Sequence, residues 1–264
     1  MPDWLTVIIL GIVEGLTEFL PVSSTGHLIL AEQWLNVTKS ELFNTVIQCG
    51  ALMAVLAVFS TRVRSLITGW REPIVRQYLI HLAIAFGITG AGGLIIKKVL
   101  HVKLPHTAFP VAIATLVGGV VILAIEQWLK GRPAVAEITL KTAIIVGAAQ
   151  LLAAVFPGTS RSGACILFAL VAGAARPAAT EFSFLVGIPT MMAASGLEIV
   201  SSLKDGERLS ASDWRMVGLG SLAAAITAFL VVRWLLRFVQ SHTFALFGWY
   251  RIALGGLILW LGRR

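Results

Sequence analysis

Long runs of apolar residues without a charged side chain constrain the fold of this chain more than any other feature. Charged residues account for 13% of the 264 positions, and the mean hydropathy is +0.88. A typical soluble domain is about 25% charged. Because a helix needs about 20 mostly apolar residues to cross a bilayer, we predict an all-α integral membrane protein with one membrane domain, residues 1–264. The six predicted transmembrane helices are 43–61, 78–96, 107–128, 181–201, 215–236 and 244–262.

Two further apolar regions, residues 4–35 and 139–175, are each interrupted by a polar motif. The motif is LPVSSTG in the first region and FPGTSRSG in the second. The segment after the second motif, GACILFALVAGAA, has 13 residues and is too short to span a bilayer comfortably. We therefore predict two re-entrant helical hairpins. Their loops should face protein or a watery cavity, because lipid cannot pair with free backbone groups.

The two halves of the chain resemble each other in sequence. Pro21 and Pro157 both precede hydroxyl residues and are 136 positions apart, and the same spacing places Glu14 opposite Gln150. Three predicted spans separate the hairpins, and an odd number of crossings puts the hairpins on opposite sides of the membrane. This arrangement is an inverted-topology repeat, in which broken helices from both halves build one site. The predicted halves, each a hairpin followed by three spans, are residues 1–128 and 139–264.

Loop charge bears on partners and orientation. The net charge of +8 is spread over short loops, which indicates contact with a membrane surface rather than with nucleic acid. Ten Lys or Arg residues lie in the loops on one side and nine on the other. The positive-inside rule therefore barely decides the orientation of the chain in the membrane. A cluster in loop 62–77 favours a cytoplasmic position for that loop, with the first hairpin and both termini outside. The cluster is Arg62, Arg64, Arg71 and Arg76.

Two carboxylates in the first hairpin are unusual for a membrane segment. Glu14 and Glu18 are four residues apart, so on a helix they share one face. A charged side chain at the bilayer centre costs about 2.5–3.5 kcal/mol, and neighbouring carboxylates also repel each other. Such a pair persists when one member is protonated or when a cation bridges both, and Mg²⁺ prefers oxygen ligands. The alternative is a pair exposed at the membrane surface.

The hydroxyl residues that follow, Ser23, Ser24 and Thr25, precede Gly26 at a predicted loop-to-helix junction. Hydroxyls and backbone N–H groups at a helix start form a natural anion site. The same residues also suit N-capping of a helix that begins near His27, and the two roles are compatible. His27 lies two to four positions from the hydroxyls and is predicted to act as general acid, base or nucleophile.

Arg161 is the only cation of the second hairpin motif. Its planar guanidinium matches phosphate oxygens, and the alternative is an internal salt bridge with Glu14 or Glu18. Polar and glycine residues near it are predicted to bind substrate, with a glutamine as hydrogen-bond donor. These residues are Gly158, Thr159, Ser160, Ser162 and Gln150.

Other polar residues are interpreted as structural. Arg251 is predicted to form an ion pair with Glu198, and Glu181 to favour a helix start. The two cysteines lie in apolar segments and are predicted to be buried, inert thiols. Four histidines lack polar neighbours of the kind that surround His27 and are left out of the site. The two cysteines are Cys49 and Cys165, and the four histidines are His81, His101, His106 and His242.

Together these residues favour chemistry on an anion. A cation, an arginine and helix N-termini around an oxyanion are what phosphoryl transfer requires. In a site embedded in lipid, we expect a phosphorylated lipid as substrate, because its head group enters the site while its tail stays among acyl chains.

The stretches EGLTEFLPVSSTGH and PGTSRSG resemble the bacterial undecaprenyl-diphosphatase family, also named for bacitracin resistance, and EFSFLVGIPTMM adds to the resemblance. The resemblance implies hydrolysis of undecaprenyl diphosphate to undecaprenyl phosphate, which recycles the carrier lipid for peptidoglycan synthesis. It also implies a multi-pass inner-membrane enzyme that opens to the outer face and uses Mg²⁺ or Ca²⁺. The family's motifs fall on Glu14 and Glu18, on residues 23–27 and on residues 157–162, but this chain has Cys165 where the family usually has threonine.

A mechanism follows as a hypothesis. Glu14 and Glu18 hold the metal ion, Arg161 and the loop amides bind phosphate, and His27 transfers the proton. Ser24, His27 or a water molecule delivers the attack, and the sequence does not choose among them. An inverted-repeat transporter or lipid flippase is the competing function, and a homodimer is left open.

Overall fold

A computed structural model describes residues 1–96, 108–204 and 210–261. Over these ranges the chain is helical, and its one extended pairing is a bridge between Val135 and Ala174. The predicted all-α class is confirmed. The helices are α1 Asp3–Thr17, α2 Ser24–Leu35, α3 Glu41–Val58, α4 Ser60–Thr68, α5 Pro73–Ile95, α6 Ala108–Leu129, α7 Leu140–Val155, α8 Arg161–Val171, α9 Arg176–Lys204, α10 Ala211–Phe238 and α11 Ala245–Leu261.

Five of the six predicted spans correspond to a helix, or to a bent helix pair, that is long and apolar enough to cross a membrane. Four helical segments qualify by themselves, and a bent pair, α3 with α4, makes a fifth span with a 67° bend. The sixth predicted span, 244–262, coincides with α11, whose 17 described residues rise about 26 Å. Residues 107 and 262, where two predicted spans begin and end, lie outside the described residues. The four segments are Pro73–Ile95, Ala108–Leu129, Arg176–Ser202 and Ser212–Phe238.

Both interrupted regions form helix pairs, α1 with α2 and α7 with α8. The second helix of each pair starts after a serine with a positive φ, 74° at Ser23 and 69° at Ser160. Each serine hydroxyl accepts the amide N–H three residues later, at 3.3 Å from Gly26 and 3.2 Å from Gly163. This N-cap confirms the predicted capping role of the hydroxyl residues, but α2 begins at Ser24, three residues before the predicted start near His27.

The two serines are 137 positions apart, one more than the two prolines. The segment from the proline to the capping serine is therefore one residue longer in the second loop, and the matching positions shift by one after the proline. This alignment places Arg161, the first residue of α8, opposite Ser24, the first residue of α2. The two hairpins thus share a backbone geometry but carry different chemistry at the same position.

Each hairpin packs on another helix through a glycine. A Cβ atom on Gly11 of α1 would overlap the carbonyl oxygen of Gly220 in α10, and one on Gly147 of α7 would lie 2.8 Å from the carbonyl oxygen of Ala85 in α5. Close backbone approach at small residues is typical of helix pairs in membranes. Gly11 and Gly147 are 136 positions apart, so these are corresponding contacts in the two halves. The inverted orientation of the halves across the membrane stays a prediction.

The first loop is anchored in the main apolar core. Phe19 contributes to this core together with Ile166 of α8 and Phe184 of α9. The rings of Phe19 and Phe184 pack edge to face, with 5.4 Å between centroids. Burial of these side chains fixes the loop that carries Glu18.

Candidate active site

The two hairpin loops meet at a cavity of about 230 Å³, closed on further sides by α5 and α9. Polar groups from both motifs face it, although they lie more than 130 residues apart in sequence. The structure therefore brings most of the predicted site together. The predicted site residues that line the cavity are Glu18, Ser23, Ser24, Thr25, Gln150, Gly158, Ser160 and Arg161.

Glu18 joins the two motifs. Its backbone N–H donates to the carbonyl of Glu14 at 2.9 Å, which continues the last turn of α1 and keeps both carboxylates on one face, as predicted. The Ser24 hydroxyl donates to Glu18 Oε2 at 2.7 Å, and Arg161 Nη2 donates to Glu18 Oε1 at 2.9 Å. Hydroxyl, carboxylate and guanidinium thus form one hydrogen-bonded chain with its members on three helical segments.

The side chain of Arg161 packs against α9 at Gly187, where the absence of a side chain leaves room for the guanidinium. A Cβ atom on Gly187 would overlap Arg161 Nη1. Arg161 Nη2 also contacts Met191 Sδ at 2.9 Å. The predicted roles of this arginine are phosphate binding or a salt bridge, and the structure shows the salt bridge with Glu18. Because a guanidinium has five N–H donors, the salt bridge leaves donors for an anion in the cavity.

Glu14 is 1% exposed, and neither carboxylate oxygen has a hydrogen-bond partner among the described residues. It faces a second cavity of about 200 Å³, on the other side of Ser24 and Thr25. Gln48 of α3 lines both cavities. A buried carboxylate without hydrogen bonds requires a proton or a cation to offset its charge.

The donor set at Glu14 fits a hard cation. The Glu14 carboxylate and the Gln48 amide line this cavity and supply oxygen ligands of the kind that Mg²⁺ and Ca²⁺ prefer, whereas Glu18 lines the other cavity and has both oxygens in hydrogen bonds. Over the described residues, no group of three or more His, Cys, Asp or Glu side chains is positioned to hold a metal ion. A cation here would therefore need further oxygen ligands from water or from substrate. The two-glutamate metal site stays a prediction.

His27 does not line the cavity. Its Nδ1 lies 2.7 Å from the Ser23 carbonyl and its Nε2 lies 2.6 Å from the Tyr250 hydroxyl of α11. The two rings stack with 5.6 Å between centroids. Both ring nitrogens are therefore engaged away from Ser24, whose hydroxyl proton points to Glu18 instead. We expected His27 to accept the Ser24 proton. In the structure, Ser24 donates to Glu18, and His27 contacts Ser23 and Tyr250.

Several predicted substrate ligands hold the loops together instead of lining the cavity. Ser162 is 2% exposed and donates to the Leu20 carbonyl at 2.9 Å, across the two loops. Gly26 is buried at the N-cap of Ser23. The Thr159 carbonyl accepts from an arginine of α11. These three residues therefore stabilise the conformation of the loops that carry the site.

Gln150 donates from Nε2 to Thr89 Oγ1 of α5 at 2.9 Å, so it does act as a hydrogen-bond donor. Sequence reasoning missed Thr89 and three other lining residues. A polar residue within the uncharged run FNTVIQCG was the available signal for Gln48, and Pro189, a proline inside the continuous helix α9, was the nearest signal for Thr190 and Met191. The missed lining residues with a polar or sulfur atom in the side chain are Gln48, Thr89, Thr190 and Met191.

The prediction that Arg251 pairs with Glu198 was wrong. Its guanidinium is 1% exposed and donates to backbone carbonyls of both hairpin loops and of α6. A Cβ atom on Gly118 would overlap it, so α6 leaves room for this arginine as α9 does for Arg161. The acceptors are the carbonyls of Pro21 at 3.3 Å, Gly158 at 2.9 Å, Thr159 at 2.9 Å, Ala114 at 3.2 Å and Thr115 at 3.1 Å.

We expect Arg251→Met to destabilise the protein by at least about 3 kcal/mol, because several buried carbonyls lose their donor at once. The measurement is the thermal unfolding midpoint of the purified protein in detergent. The control is Arg233→Met, since Arg233 is exposed and its guanidinium lies over the Phe229 ring. An unfolding midpoint of Arg251→Met within roughly 2 °C of the control would contradict the inference that Arg251 stabilises the two loops through their carbonyls.

The remaining polar residues lie away from the cavity. Glu181, interpreted as structural, accepts from Arg62 Nε at 2.8 Å and from the Tyr78 hydroxyl at 3.3 Å. His242 Nδ1 lies 2.9 Å from Ser241 Oγ, and His81 is buried in α5. His101 and His106 lie outside the described residues.

Over residues 7–257, the chain matches the model of a family described as bacitracin resistance protein BacA. The chain belongs to this family. An undecaprenyl-diphosphatase of Rhizobium leguminosarum bv. trifolii (strain WSM2304) is 51% identical over 259 residues, which cover 97% of this chain and 96% of the relative. An undecaprenyl-diphosphatase of Xylella fastidiosa (strain 9a5c) is 48% identical over 263 residues, which cover 99% and 100%.

Cys165 stands where the sequence resemblance led us to expect a threonine. The side chain is 1% exposed, lies in the main apolar core and does not line the cavity. Both cysteines are free thiols, with Cys49 half-buried. In this BacA family member, Cys165 therefore contributes to packing.

Proposed function

We propose that the chain is a membrane phosphatase that hydrolyses undecaprenyl diphosphate to undecaprenyl phosphate and inorganic phosphate. The observation that carries the proposal is the hydrogen-bonded chain of Ser24, Glu18 and Arg161 at a cavity built from both hairpin loops. A nucleophile bonded to a base, with the base oriented by a third group, is the arrangement of an activated nucleophile. The names of the relatives supply the substrate.

In the proposed reaction, Ser24 Oγ attacks the terminal phosphorus, and its proton passes to Glu18 Oε2. The bond from this phosphorus to the bridging oxygen breaks, and undecaprenyl phosphate leaves. Water then hydrolyses the phosphoserine and releases inorganic phosphate. Arg161 and the N–H groups at the starts of α2 and α8 bind the phosphate oxygens and stabilise the charge that develops on them.

Glu14 and Glu18, with Gln48, would hold a divalent cation, Mg²⁺ or Ca²⁺. When bound, such a cation supplies positive charge to the diphosphate oxygens. The support for this assignment is the buried Glu14 carboxylate, which lacks a hydrogen-bond partner among the described residues.

Several finer features belong to the same proposal. The enzyme is a multi-pass protein of the bacterial inner membrane, its cavity opens to the outer face, and its activity recycles the carrier lipid and confers bacitracin resistance. The arginine cluster of loop 62–77 supports this orientation, since basic loops favour the cytoplasm. A homodimer stays a prediction, and the mass of the purified protein in detergent tests it.

The test is phosphate release from undecaprenyl diphosphate by the purified protein in detergent. We expect turnover that chelation abolishes and that added Mg²⁺ or Ca²⁺ restores. Proteoliposomes address the competing function, a transporter or lipid flippase. Gradient-coupled solute uptake, or lipid movement, without phosphate release would overturn the phosphatase proposal.

A further inference from the structure

An apolar groove of about 570 Å³ lies beside the second hairpin loop, between α6, α7 and α8. Apart from Thr159 and Arg251, its lining residues are apolar. The groove is open along its length, with Phe109 67% exposed and Val117 51% exposed. The side chains that shape it are Phe109, Ile113, Val117, Val121, Phe156 and Phe168.

The groove and the polar cavity share a single loop as their common wall. Phe156 and Thr159 line the groove, whereas Gly158 and Ser160 line the cavity. Arg251 lies at the groove and donates to the Gly158 carbonyl at 2.9 Å. An apolar site therefore lies one loop width from the groups that would bind a diphosphate.

We propose that this groove binds the first isoprene units of the prenyl tail while the diphosphate occupies the polar cavity. The inference rests on the proposed function and deepens it, because it assigns residues to chain-length selection. A substrate with a charged head and a long hydrocarbon tail needs adjacent polar and apolar sites, and those sites adjoin here. The open side lets the rest of the tail continue among the lipid acyl chains.

Two substitutions on α6 test the groove as a matched pair. Val117 lines it and Val120 does not, yet both side chains are 51% exposed on the same helix. Val117→Trp fills the groove, and Val120→Trp adds the same bulk outside it. Each variant is assayed with undecaprenyl diphosphate and with isopentenyl diphosphate, whose five carbons cannot extend along the groove.

We expect Val117→Trp to raise KM for undecaprenyl diphosphate about tenfold, which corresponds to losing about two buried methylene contacts. The effect on isopentenyl diphosphate should be smaller, because a single isoprene unit reaches only the start of the groove and leaves most of it empty. Val120→Trp should leave both substrates within about twofold of wild type. If wild type hydrolyses both substrates and the two variants behave alike, the groove assignment is wrong while the phosphatase proposal stands. If wild type hydrolyses neither, the phosphatase proposal itself fails.

A second measurement needs no variant. An undecaprenyl diphosphate analogue with a photoreactive group on its first isoprene units should label residues 109–121 of wild type. Labelling elsewhere would assign the groove to another occupant, bulk lipid or a second copy of the chain.

Discussion

Arg161→Ala is expected to lower kcat/KM for undecaprenyl diphosphate about a thousandfold. The substitution removes the one side-chain cation that lines the polar cavity. It also leaves Glu18, 6% exposed, without its salt-bridge partner. The measurement is steady-state phosphate release in detergent, with the unfolding midpoint recorded for each variant so that loss of fold is distinguished from loss of activity.

Two variants serve as controls for Arg161→Ala. Arg62→Ala removes a different salt bridge, Arg62 to Glu181 at 2.8 Å, away from the cavity, and should keep activity within a few-fold, as expected for a partly exposed ion pair. Arg161→Lys keeps the charge and loses the planar fork, so its activity should lie between wild type and alanine. A kcat/KM of Arg161→Ala within about tenfold of the wild-type value would show that phosphate is bound elsewhere.

Ser24→Ala is expected to lower kcat by more than about a thousandfold, because the attacking oxygen is removed. The kcat of His27→Ala should fall by less than the roughly hundredfold expected when a proton-transfer group is removed. The reason is that His27 is hydrogen-bonded to Ser23 and Tyr250 rather than to Ser24. The measurement is single-turnover phosphate release, with Ser65→Ala of α4 as a serine control outside the cavity. An equal loss in His27→Ala and Ser24→Ala would identify His27 as the proton acceptor.

Glu18→Gln separates attack by Ser24 from attack by water. If Glu18 is the base for Ser24, the double variant with Ser24→Ala should be about as slow as either single variant, because the two side chains act as one unit. Trapping of radiolabelled phosphate on the wild-type protein is the direct assay. A water nucleophile predicts no labelled protein and substantial activity in Ser24→Ala.

Local sequence patterns predicted the helical segments and the two interrupted helix pairs well, whereas the re-entrant placement of these pairs in the membrane stays a prediction. Helix positions follow from runs of apolar residues, and the breaks follow from proline, glycine and hydroxyl residues, all of which are local properties. The exact start of α2 was missed by about one turn, because the N-cap depends on the positive φ of Ser23 and not on residue type alone.

Contacts between distant segments were not predictable in the same way. Arg251 looked like a partner for Glu198 because both are charged residues within apolar segments. The fold instead places its guanidinium against backbone carbonyls, and no sequence pattern marks a carbonyl as an acceptor. Likewise, nothing in the run ITGAGG marked Thr89 as a contact of Gln150.

The sequence by itself determined that this is a helical membrane protein and which two motifs carry its polar chemistry, since burial of unpaired charge in an apolar chain is costly wherever it occurs. Only the tertiary structure decided the pairing within the site. Packing of the two hairpins brings Arg161 to Glu18 over 143 positions, directs the Ser24 hydroxyl to that carboxylate, and holds His27 against Tyr250. These relations depend on the relative placement of helices, which long-range packing fixes and local residue order does not.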